Sequence, residues 1–141
     1  MTGGPWEAFF LTRLASLTRN DDPASTGLAP AGDGRMWLDE PFRQCLDAAG
    51  LGDFEAVMGA SEGRCLRTLR DRENWRLELR GPDRLDQGLF LKRHHVRTWS
   101  SRWRARLGLG PGESAGRVEA RNVRRLAAAG IDVMDLVAYG E

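Results

Sequence analysis

Leu89-Phe90-Leu91-Lys92-Arg93-His94 is the stretch whose alternation decides the fold. At the two-residue period of a strand, Phe90, Lys92 and His94 point to one face, and Leu89, Leu91 and Arg93 point to the other. Apolar side chains fall on both faces, so the strand is expected to be central and Lys92 starts from a half-buried position. Lys92 is also the single lysine among 21 basic residues, the rest being arginine.

Upstream, Trp75, Leu77 and Leu79 alternate with Arg76, Glu78 and Arg80, the pattern of a half-buried strand. Arg64 to Leu69 reads as an earlier strand. Asp71-Arg72-Glu73-Asn74 and Gly81-Pro82-Asp83 read as the turns between them. Short turns joining all three strands imply an antiparallel meander. Downstream, Ser114 to Ala129 is a helix closed by Gly130, and Val133 to Tyr139 is a fourth strand. The expected order is strand, strand, strand, helix, strand.

On a helical wheel, Ala115, Glu119, Asn122, Val123 and Leu126 share one stripe, and Arg117, Arg121, Arg124 and Arg125 lie opposite. Glu119 thus sits on the apolar side, where a carboxylate is costly unless a cation meets it. Lys92, directed inward from the central strand, is the expected partner.

Before these elements, Trp6, Phe9, Phe10, Leu14 and Leu17 fall near one face of a short amphipathic helix within residues 1–19. That helix either docks on its own domain or frays, or it anchors the chain to a partner or membrane. Residues 20–35 are rich in Asp, Pro, Ala and Gly and read as a flexible linker. The chain is therefore divided into an arm and linker, 1–35, and a folded unit, 36–141. That unit opens with short helices. Asp39 caps one with Glu40 and Pro41 in its first turn, and Phe42, Leu46 and Ala49 follow one face up to Gly50. Asp53 starts another that carries Phe54, Val57 and Met58 and ends near Gly59. The fold class is α+β, a twisted antiparallel sheet with one main packed helix and short helices before it.

Bulk properties bound the function. The 141 residues suit one domain, 41% hydrophobic and 29% charged. A net charge of +1 gives no global attraction to nucleic acid or anionic lipid, so nucleic acid is an unlikely partner. Cys45 and Cys65 form no Cys-x-x-Cys pair and are either reduced thiols or one disulfide. Glu7 and Arg13 interrupt any secretory apolar run, and no stretch approaches the ~20 apolar residues of a membrane span. The expected location is the cytoplasm, or the inner-membrane surface if a partner carries the chain there.

Lys92 in LFLKRHH, Glu119 in GRVEARNVRRL and the order of elements resemble the small lobe of protein kinases. The segments are closer still to the lipopolysaccharide kinase family, which phosphorylates Kdo or heptose of the lipopolysaccharide core. The "AAGI…LVAYGE" segment of residues 128–141 adds to that resemblance, which covers about residues 60–141. It implies that Lys92 holds the α- and β-phosphates of ATP and that Glu119 orients Lys92 through an ion pair. Two features depart from the protein-kinase pattern. The first turn holds no glycine, and Phe90 stands where a small residue is usual. The resemblance also implies that the catalytic Asp and the magnesium ligands belong to a second lobe absent from this sequence. Magnesium would accompany ATP only with that lobe, and the chain alone would not transfer phosphate. The partner would be a second-lobe polypeptide or another copy of the chain. The alternative is a pseudokinase-like regulatory or scaffold module.

Two further features concern ligands. His94 and His95 are adjacent and face opposite ways on a strand, so they do not chelate one ion together. Within residues 97–112, Trp99 and Trp103 interleave with Arg97, Arg102, Arg104 and Arg106. This is a surface for anionic lipid or a lipopolysaccharide precursor, a single-strand nucleic-acid site, or a loop packed on the sheet.

Overall fold

The computed structural model describes residues 7–13, 27–80, 86–95, 103, 106–108 and 114–141. Among the described residues, seven strands form one sheet: β1 (Glu7–Arg13), β2 (Ala29–Ala31), β3 (Met36–Leu38), β4 (Arg64–Thr68), β5 (Arg72–Arg80), β6 (Asp86–His95) and β7 (Asp135–Gly140). Their spatial order is β2-β3-β7-β1-β6-β5-β4, and every neighbouring pair is antiparallel. A 3-10 turn (Glu40–Phe42), α1 (Arg43–Ala48) and α2 (Phe54–Gly59) lie between β3 and β4, and α3 (Ala115–Ala128) lies between β6 and β7. The fold is α+β, and β4, β5, β6, α3 and β7 follow the expected order.

The alternation in β6 is realised. Leu89, Leu91 and Arg93 are buried, and Phe90, Lys92 and His94 are half-buried on the opposite face. The first set joins a core of Phe9, Leu11, Met36, Leu38, Leu77 and Val137, closed from outside by Phe42, Leu46, Phe54 and Val57 of the short helices. Asp53 caps α2 by accepting from the Ala56 amide at 2.8 Å.

The described part of residues 1–19 is not the expected helix. Residues 7–13 are instead β1, paired with β6 on one side and β7 on the other. Ala8, Phe9, Phe10, Leu11 and Thr12 are each 4% exposed or less, so the strand is covered on both faces. Such a strand reads as a continuous apolar run, and its period is invisible. Its end is tied to β7 by Arg13 and Asp135, 2.9 Å apart. Ala29–Ala31, within the expected linker, pairs with β3. The division at residue 35 therefore does not separate an arm from the sheet.

Other boundaries also shift. Arg72, Glu73 and Asn74, expected in a turn, belong to β5 and pair with His94, Arg93 and Lys92. The hairpin needs only residues 69–71, where the Leu69 amide donates to the Arg72 carbonyl at 2.8 Å. Asp39 makes no side-chain cap, and its helix opens as a 3-10 turn. The buried face of α3 is Gly116 and Ala120, with Glu119 and Val123 half-buried beside it, whereas Asn122 and Leu126 are exposed. The reason is close approach. A Cβ at Gly116 would stand 2.5 Å from the Phe9 carbonyl oxygen and 3.0 Å from that of Gly140. Small residues, not the largest apolar ones, let the helix rest on β1 and β7. Neither cysteine forms a disulfide; Cys45 is buried and Cys65 exposed.

Arg93 holds the short helices to the sheet. It is 5% exposed, and its Nη1 donates to the carbonyls of Met58 and Ala60 at 2.6 and 2.8 Å. Its Nη2 stands 2.9 Å from Glu73, and the guanidinium lies 4.9 Å from the Trp75 ring centroid. A planar fork spreads its donors over two carbonyls at the end of α2 and one carboxylate together, which the single nitrogen of an ammonium matches less well.

Two outcomes follow. Amides of residues 9–12 should show hydrogen-exchange protection close to that of residues 89–92, because all belong to the central sheet; free exchange there would refute the placement of β1. Arg93→Ala should lower stability by about 1–3 kcal/mol in chemical denaturation, since it removes a buried guanidinium and leaves the Met58 and Ala60 carbonyls without their donor. Arg93→Lys should recover only part of that loss.

Candidate functional site

The face of the sheet that bears α3 is covered over β1 and β7 and open toward β5 and β4. Lys92 stands at this boundary. Its Nζ donates to both oxygens of Glu119, at 3.2 and 2.9 Å. The elements that bring the two together are simple. The two-residue period aims Lys92 toward the helix, and docking through Gly116 and Ala120 sets the turn of α3 that carries Glu119 over the strand. Side-chain exposures of 36% and 28% leave the pair within reach of a solute. It is neither a sealed core pair nor a freely solvated one.

His94 is the third member. Its Nε2 lies 3.4 Å from Glu119 Oε1 without completing a hydrogen bond, at 14% side-chain exposure. Burial alone would raise the Glu119 pKa. The contacts and charges of His94 and Lys92 outweigh burial, and the carboxyl is held below its ordinary value. Glu119 is thus held as an anion, and its two oxygens aim the Lys92 ammonium.

The sequence alone did not bring out Asn74. In the register of the hairpin it sits directly opposite Lys92 on the same face, and its Oδ1 is buried without a partner among the described residues. The signal lay in the pairing of β5 with β6, which a shorter turn shifts into view. His95 faces away from His94, 4.0 Å from Glu7 and 3.8 Å from Glu73. Among the described residues, no group of three or more His, Cys, Asp or Glu side chains is placed to hold a metal ion.

Of the Trp and Arg stretch, Trp99, Arg97, Arg102 and Arg104 lie outside the described residues; Trp103 is 51% exposed. A groove of about 1000 Å³ opens between the short helices and β5, lined by Ala48, Gly50, Ala60 and Leu79 among others. Its lining also includes Glu62, Arg64, Arg76 and Glu78, and neither Lys92 nor Glu119 lines it. No described helix is long and apolar enough to cross a membrane.

Because the folded Glu119 carboxyl titrates below its ordinary value of 4.5, its contribution to stability is complete above that value. It is lost as pH falls through the lower, folded value. Glu119→Gln should cost about 1 kcal/mol at neutral pH, as for a partly exposed pair. It should also flatten the acid limb of the stability curve, measured by urea melts from about pH 7 to about pH 3. An acid limb equally steep in the variant would place the charge dependence elsewhere.

No family profile matches the chain, and no solved structure matches it. Among curated proteins, the chain is 35% identical over 107 residues to the lipopolysaccharide core heptose(I) kinase WaaP of Pseudomonas aeruginosa. The match covers 76% of this chain and 37% of that relative, so the chain spans little more than a third of the protein it resembles.

Proposed function

We propose that the chain is the nucleotide-binding small lobe of an ATP-dependent phosphotransferase of the lipopolysaccharide-kinase kind, with a lipopolysaccharide core sugar as acceptor. The observation that carries this reading is the Lys92–Glu119 pair, strand to helix, on a half-open face at 2.9 Å. The sequence similarity to a heptose kinase supports the same direction.

In this reading ATP lies on the open face next to Lys92. The ammonium, a compact point charge on a flexible stem, contacts the α- and β-phosphates. Glu119 receives two hydrogen bonds from that ammonium and keeps it from folding onto solvent. His94 backs the carboxylate from its inner side. Catalytic base and magnesium ligands come from a further lobe, and magnesium is bound only when that lobe is supplied. The site of action is the cytoplasm, at the inner-membrane surface where a lipid-linked acceptor is reached.

A pure positioning role for Glu119 has a kinetic signature. Its loss should weaken nucleotide binding less than loss of Lys92, because the cation remains but is no longer aimed.

The test is ATP-dependent thermal stabilisation of the purified chain, alone and mixed with a candidate second lobe. ATP at a hundredfold excess over Kd should add about 2.7 kcal/mol. Lys92→Ala should abolish the shift, and Glu119→Gln should reduce it. If wild type and Lys92→Ala respond alike in both settings, the nucleotide reading fails and a scaffold role remains.

A further inference from the structure

The cation on β6 does not stand by itself. Pairing across β4, β5 and β6 sets Arg67, Asn74 and Lys92 opposite one another in a single row. Cross-strand partners share a face, so all three belong to the face that bears α3. Beside that row stand Arg64 opposite Arg76, and Arg72 opposite His94.

A bulge produces this arrangement. The pairing of β4 with β5 shifts register between Cys65 and Arg67. Without it, residues 64 and 67 would face opposite ways at the two-residue period. With it, Arg64 and Arg67 both face the Lys92 side. Cys65 and Thr68 turn to the other side, where Sγ and Oγ1 lie 3.2 Å apart.

Charge on this face is unbalanced. Arg76 is neutralised by Glu78 at 2.7 Å, and Lys92 by Glu119. Arg64, Arg67 and Arg72 are exposed and make no ion pair with any described residue. Asn74, between Arg67 and Lys92, has its acceptor Oδ1 without a partner among the described residues, and its carboxamide nitrogen carries two N–H donors. Arg67 and Lys92 stand two strand spacings apart, about 10 Å. That is a short, straight line of donors.

The neighbouring hairpin turn is not a glycine-rich one. The turn contains no glycine, and the Leu69 amide already donates to Arg72. A phosphate at this edge meets guanidinium and carboxamide groups in place of backbone N–H.

We propose that Arg67 and Asn74, flanked by Arg64 and Arg72, form a side-chain cradle that continues from Lys92 and binds the distal phosphates of a nucleoside triphosphate. The inference deepens the nucleotide reading above, which it takes as its starting point. Arg67 binds the phosphate furthest from Lys92, and Asn74 bridges the middle of the chain. These are binding residues and not reacting groups. The cradle takes over the role that a glycine-rich turn would fill. It also discriminates by phosphate number, since AMP does not extend from Lys92 to Arg67.

The test is calorimetric titration of the full chain with ATP, AMP and inorganic tripolyphosphate. Wild type is compared with Arg67→Ala, Asn74→Ala, Lys92→Ala and the distant control Arg125→Ala. Melting without ligand checks folding, and exposed Arg67 and Arg125 should tolerate the change. Arg67→Ala and Asn74→Ala should each weaken ATP and tripolyphosphate about tenfold, the loss of one hydrogen bond to a charged group. AMP affinity and the Arg125→Ala isotherms should be unchanged. If ATP binding falls in Lys92→Ala but not in Arg67→Ala or Asn74→Ala, the cradle is overturned and the nucleotide reading stands. If ATP and tripolyphosphate bind equally and both depend on Arg67 and Asn74, the cradle stands as a polyphosphate site and the nucleotide reading falls. Absence of binding by either ligand overturns both. A single-stranded oligonucleotide or an anionic phosphatidylglycerol vesicle that displaces tripolyphosphate at lower concentration would reassign the row to that polymer or surface.

Discussion

The sheet depends on a strand that comes from the far end of the chain. β1 lies between β6 and β7, with antiparallel partners on both sides. Without it, β4–β6 would be one three-stranded ribbon and β7–β3–β2 another, each with a bare edge. An unpaired central edge would leave backbone donors and acceptors buried without partners, which costs more than the contacts of small ribbons return. The same strand supplies Phe9 to the core on one face and, through its carbonyl, the seat of Gly116 of α3 on the other. The helix that carries Glu119 is therefore positioned by residues more than a hundred positions away in sequence.

The two cations of β6 divide labour by chemistry. Arg93 points into the core, where a rigid fork satisfies the carbonyls of Met58 and Ala60 and the carboxylate of Glu73. Lys92 points to the open face, where a slim ammonium is held by one carboxylate and keeps donor capacity for a solute. Neighbouring residues on one strand thus serve stability and the proposed site separately. Exchange of the two would fit neither face: the single nitrogen of an ammonium does not span the acceptors that two guanidinium nitrogens reach, and a guanidinium would engage Glu119 as a closed bidentate pair. A chain that uses arginine at every other basic position keeps its lysine where the fork would be a hindrance.

The meander and α3 were legible from residues alone, as was the meeting of Lys92 with Glu119. Strict alternation in β5 and β6 leaves one reading of their faces, and a carboxylate on the apolar side of a helix demands a cation. Three features were not legible, each for a physical reason. Residues 8–12 are apolar on both faces, so a buried strand and a short helix leave the same trace. The face of α3 is set by how closely backbone meets backbone, which favours Gly116 and Ala120 over the larger Val123 and Leu126. The turn between β4 and β5 looks longer than it is, because polar Arg72, Glu73 and Asn74 belong to strand positions near the sheet's exposed edge.

Local chemistry in the sequence thus determined which side chains share a strand face and which charge must find a partner, because both follow from a period and from the cost of burying a carboxylate. Only the tertiary structure decided the neighbours. It set β1 in the centre, the bulge that turns Arg67 toward Lys92, and the register that puts Asn74 between them. Pairing between strands is chosen by the whole sheet, which settles on the register that buries most apolar surface and leaves fewest backbone groups unpaired.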